Sequence, residues 1–93
     1  MTKIHQLKIL PKYFQSVLSG EKTFEVRKDD RNFQLGDIVV LNEFDDISCS
    51  FTGNYVGVRI TYILRDSEFC KSGYCIFSFK RISEIQKEKR RVY

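Results

Sequence analysis

At 93 residues, with 42% hydrophobic and 30% charged side chains, the chain has the size and composition of one globular domain with a single modest core. It holds no apolar run near the roughly 20 residues that a membrane span needs, and its alternating N-terminus, "MTKIHQLKILPK", lacks a signal peptide's continuous apolar stretch. The net charge of +4 is mild, and half of it lies in residues 83–93, so charge permits a nucleic-acid partner without requiring one.

A cytoplasmic protein without membrane contact is therefore expected. Eight Phe and five Tyr, against no Trp and one Met, predict a core built from rings, which suits a curled sheet. Cys49, Cys70 and Cys75 show no CxxC spacing, and His5 is the sole histidine. That set falls short of the four paired ligands of a structural zinc site. Reduced, packed thiols and no metal or other cofactor are expected.

Along the chain, residues 4–10 alternate as a strand with Ile4, Leu7 and Ile9 as its apolar positions. Pro11 suits the first position of a helix, Phe14, Val17 and Leu18 follow at helical spacing, and Gly20 fits the position just past its end. From Lys22 the period becomes two, which places Phe24 and Val26 on one face and Thr23, Glu25 and Arg27 on the other. "DDRNFQLGD" is a turn-rich connection, with Phe33 as a core plug beneath it.

Residues 37–44 read as a buried strand, and 45–54 as a long hairpin connection ending in a Gly-Asn turn. Residues 55–64 form a strand with Val56, Val58, Ile60 and Tyr62 on one face, and Gly57 marks a bulge or bend. A loop over 65–73 leads to a last strand over 74–82. The domain is thus expected over residues 1–83, and 84–93 as a basic C-terminal tail, either frayed helix capped by Ser83 or mobile. Five strands with one helix between the first two predict a mostly β, α+β fold, a small mixed barrel.

"SGEKTFEVRKDD" sets Lys22, Glu25 and Arg27 in a run that otherwise reads as strand. Two cations beside one carboxylate can read a base edge, clamp a phosphate or assist a nucleophile, and equally can form ordinary surface pairs. Tyr13 and Tyr55 suit packing better than base stacking. Arg31 can reach a phosphate or pair with Asp29, Asp30 or Asp37.

The order Gly20, Lys22, Glu25, Arg27, then Asp30, Arg31, Phe33, Gly36 and Asp37, with "GVRITYIL" and "GYCIFSF" after it, resembles the ASCH branch of the PUA-like superfamily. Within that branch it is similar to a small bacterial and phage family still labelled a domain of unknown function. The resemblance covers roughly residues 4–80. It implies a PUA-like barrel with a cleft beside the helix, floored by Lys22, Glu25 and Arg27, with Arg31, Lys8 and His5 as further candidates.

It also implies RNA or a modified nucleotide as partner. One ASCH subgroup hydrolyses N4-acylated cytidines with a Lys and a Thr in the order G-x-K-x-x-T. Here Lys22 matches the lysine, but Glu25 stands at the threonine, so an amidohydrolase using Lys22 and Glu25 is the alternative. A phage or host accessory module that binds protein is another.

Overall fold

A computed structural model describes residues 2–66 and 68–88. Its elements are β1 (Ile4–Ile9), α1 (Pro11–Leu18), β2 (Phe24–Lys28), β3 (Ile38–Asp45), β4 (Ser50–Leu64) and β5 (Tyr74–Lys87). One five-stranded sheet runs in the order β1-β3-β4-β5-β2, with β1 parallel to β3 and the other pairs antiparallel. This is the expected mostly β, α+β fold: a curled mixed sheet forming a half-barrel, with one short helix between the first two strands. No helix of the described residues is long and apolar enough to cross a membrane.

β1 and β2 are the two edges of the sheet, and the chain passes from one to the other through α1. Pro11 occupies the start of α1, where its missing N–H is no loss. At the other end Gly20 takes a positive φ of 84°, its N–H donates to Val17 O, and the Lys22 N–H donates to Ser16 O at 2.9 Å. This compact exit delivers Lys22 to the mouth between the two edges. The inner face of the sheet is filled by Leu7, Ile9, Val39, Leu41, Val56, Val58, Ile60, Phe77 and Phe79, and α1 covers it with Phe14 and Val17. Phe33 is fully buried against Phe77 beneath its loop, as its place in the sequence predicts.

Several details depart from expectation. In β1, His5 rather than Ile4 joins Leu7 and Ile9 on the inward face, and Ile4 is exposed. In β2 the alternation holds as expected, and the charged set is the inward one: Glu25 is 4% exposed, whereas Phe24 and Val26 are 48% and 53% exposed. A period of two fixes that alternate side chains part company, not which set goes inside. Here the inward face of an edge strand meets a helix end and the open edge of β1, which offer polar partners.

The β3–β4 turn lies at 46–49, so Gly53 and Asn54 are inside β4 instead of turning the chain. Within β4 a register shift between Ile60 and Tyr62 leaves Thr61 and Tyr62 both exposed and moves Tyr62 off the inward face. β5 runs on to Lys87 and pairs Gln86 with Val56, so Ser83 caps no helix and 83–87 are strand. The bulge that allows this sits opposite Gly57, where a Cβ would lie 2.6 Å from Ile85 Cβ. Residues 89–93 of the expected tail lie outside the described residues.

Candidate functional site

The mouth of the half-barrel, between β1 and β2, holds a cleft of about 460 Å³. Its walls are Lys8 and Ile9 from β1, Leu10 and Tyr13 at the start of α1, Lys22 from the helix exit, and Phe24 to Arg27 of β2. Because β2 turns its charged face inward, Glu25 is carried to the floor of this cleft.

The Glu25 carboxylate is gripped from both sides. Lys22 Nζ pairs with Oε1, and Arg27 Nε donates to Oε2 at 2.8 Å. Lys22 Nζ also donates to Phe24 O at 2.7 Å, and Arg27 Nη2 donates to Lys8 O at 2.5 Å. Arg31 Nη1 adds a longer bond to Gln6 O at 3.3 Å. Gln6 and Lys8 are alternate residues of an edge strand, so two guanidiniums occupy carbonyls that a further strand would otherwise pair. Arginine suits this role, since its planar fork can serve a carboxylate and a carbonyl together.

Two exposed rings flank the lysine. Lys22 Nζ lies 5.2 Å from the Phe24 ring centroid and 5.7 Å from that of Tyr13, which is 43% exposed. The cleft therefore combines cations, one carboxylate and flat apolar faces. Phe24 did not stand out in the sequence, and Tyr13, read there as a packing residue, is instead exposed on the cleft wall. Tyr13 sits on the flank of the Phe14–Val17 stripe, a position compatible with burial or exposure, and Phe24 follows the β2 alternation.

The other sequence-derived candidates divide. Lys8 lines the cleft, its ammonium 4.4 Å from the Phe44 ring centroid. Arg31 lies on the adjoining surface, bonded to backbone. The carboxylates weighed as its partners are engaged elsewhere at two of three positions: Asp29 holds Arg65 at 2.6 Å, and Asp37 holds His5. His5 stands apart from the cleft, buried, with Nε2 2.8 Å from Asp37 Oδ2 and its ring 4.7 Å from that of Phe33.

Burial alone would raise the Asp37 carboxyl, but the His5 hydrogen bond and the backbone N–H groups of Lys3 and Gln34 hold it below its ordinary value. Burial pushes the Cys75 thiol up, and the Asp29 carboxylate adds to the effect, which makes Cys75 a poor nucleophile. Cys70 is also buried and Cys49 exposed. Among the described residues no group of three or more His, Cys, Asp or Glu is placed to hold a metal ion.

Comparison with known proteins gives two findings. Over 61 residues the chain is 48% identical to a protein of Escherichia phage P2 described as "Uncharacterized 12.9 kDa protein in GpA 3'region". The aligned part is 66% of this chain and 54% of the phage protein, so the chain spans about half the length of the curated relative it matches. Residues 4–79 match the family model described as "Domain of unknown function (DUF3850)", and the chain belongs to that family.

Proposed function

We propose that the cleft between β1 and β2 binds RNA or a nucleotide-like ligand within the cytoplasm, as the resemblance to the ASCH branch implies. The observation that carries the reading is the inward-facing set Lys22, Glu25 and Arg27 on the cleft floor, with Tyr13 and Phe24 exposed beside it. Arg27 uses Nε and Nη2 within the protein, and Nη1 makes no hydrogen bond among the described residues. That donor faces a phosphate or a base edge. Lys22 supplies a second positive centre, and Glu25 orients both cations and accepts from an exocyclic amine. The rings of Tyr13 and Phe24 offer faces for a base.

Recognition is favoured over hydrolysis because each Glu25 oxygen is already engaged by a cation, which suits an orienting carboxylate better than a general base. The reading is tested by amide NMR titration of the labelled protein with cytidine, N4-acetylcytidine and a structured RNA. Shifts clustered at 8–13 and 20–31 are expected. Released acetate would replace the binding reading with the amidohydrolase, and silence with all three would turn the assignment toward a protein partner.

A further inference from the structure

The cleft does not end at Arg27. A second depression of about 340 Å³ shares Lys8 and Arg27 with it, and a third of about 220 Å³ shares Asn42 and Phe51 with the second. Together they form a track along β1 to the base of the β3–β4 hairpin. The second depression is chemically unlike the first. Its walls carry Lys8, Arg27 and Arg31, the amides of Gln6 and Asn42, and the ring of Phe51, with no carboxylate among them.

Lys8 and Arg31 are the telling pair. Among the described residues Arg31 makes a single hydrogen bond, to a backbone carbonyl, and Lys8 holds its ammonium over the Phe44 ring, with Phe51 5.9 Å away. Among the described residues neither has a carboxylate partner, in contrast to Lys22, Arg27 and Arg65. The nearby Glu43 is buried, accepts from Thr52 and Asn54, and is not part of this wall. Asn42 donates to Gln6 Oε1 at 2.9 Å, which leaves the Gln6 amide nitrogen as a donor. Phe51, 57% exposed, presents its ring where the second and third depressions join.

Cations without carboxylate partners, amide donors and an exposed ring in sequence along one groove match the repeat of a polynucleotide: phosphate, sugar, base. We infer that this track is a second subsite, which extends the proposed nucleotide cleft into a groove for single-stranded RNA. A base sits at Tyr13 and Phe24, the next phosphates lie on Lys8 and Arg31, and a further base stacks on Phe51. A single strand is required because a base already paired within a duplex cannot offer its face to Phe51. This inference rests on the cleft reading and adds to it the class of ligand.

The test is calorimetric titration of the full chain with uridine 5′-monophosphate and with hexauridylate, for wild type, Arg31→Ala and Phe51→Ala. The hexamer is expected to bind at least about tenfold tighter than the monophosphate. Either substitution should remove most of that gain and leave monophosphate affinity unchanged, and Arg31→Ala should lower the salt slope by about 0.7. Equal affinity for both ligands would overturn the groove while leaving the cleft reading intact. A gain that survives both substitutions would overturn it too. No binding of either ligand at millimolar concentration would remove the groove and the cleft together.

Discussion

The molecule buries two carboxylates beside basic side chains, and the two settings differ in what surrounds the pair. Asp37 is enclosed by its own chain. Its oxygens accept from His5 Nε2, the Lys3 N–H and the Gln34 N–H, and Phe33 packs against the imidazole. These bonds fasten the start of β1 to the start of β3 and close the loop before it. Glu25 is as nearly buried, yet its partners are two long side chains that line an open cleft. A carboxylate satisfied by backbone and a buried imidazole is a fastening. One satisfied by movable cations at a cavity wall is placed to meet a ligand.

The strongest way to break this contrast is Asp37→Ala. It strands a buried imidazole and two backbone donors, and loss of one partner of a buried pair costs about 3–5 kcal/mol. At about 4–8 °C per kcal/mol for a domain of this size, Tm should fall by more than about 12 °C in a circular dichroism melt. A shift of a few degrees would reduce Asp37 to an ordinary surface acid.

Next in size is the Lys22→Ala/Arg27→Ala pair. Each single variant leaves Glu25 one cation and should cost about 1 kcal/mol, whereas the double variant leaves a buried carboxylate unpaired at about 3 kcal/mol. Urea unfolding of the four proteins should therefore show a non-additive cycle. Simple additivity would mean that Glu25 relaxes into solvent.

Gly57→Ala tests a region outside the contrast. The new Cβ would meet Ile85 at the β5 bulge, with an expected loss of about 1–3 kcal/mol by thermal melt and no change in ligand affinity.

The smallest effect is in acid. Because the Asp37 carboxyl in the folded chain lies below its ordinary value of 3.8, the unfolded chain takes up a proton first as pH falls. The stabilisation that Asp37 contributes is complete above that value and is lost as pH falls through the folded one. Urea midpoints of wild type and Asp37→Asn should thus converge below pH 3.8. A constant gap down to low pH would show that hydrogen bonding, not charge, makes the difference.

Much of this architecture was legible from residue order. Pro11 and Gly20 bracket the helix, Phe33 reads as a plug, and Lys22, Glu25 and Arg27 stand out as a group because charges interrupt an apolar alternation. What residue order left open was orientation. Both faces of β2 are chemically plausible insides, and the choice depends on β2 ending at a sheet edge opposite β1, a long-range fact. The same holds for His5, whose inward place follows from Asp37, 32 residues later. Gly53-Asn54 is a strong local turn signal, but pairing of Phe51 with Phe44 carries β4 past it. In β5, Ser83 resembles a helix cap until pairing of Gln86 with Val56 extends the strand.

The contrast between the two carboxylates is tested most directly by measuring Tm and affinity for uridine 5′-monophosphate side by side in Lys22→Ala and His5→Gln. The expected result is a double dissociation: Lys22→Ala loses the ligand and lowers Tm by no more than about 8 °C, and His5→Gln lowers Tm further and binds the ligand as wild type does. The reverse pattern, with Lys22 needed for folding and His5 for binding, would contradict the assignment of the cleft as the site.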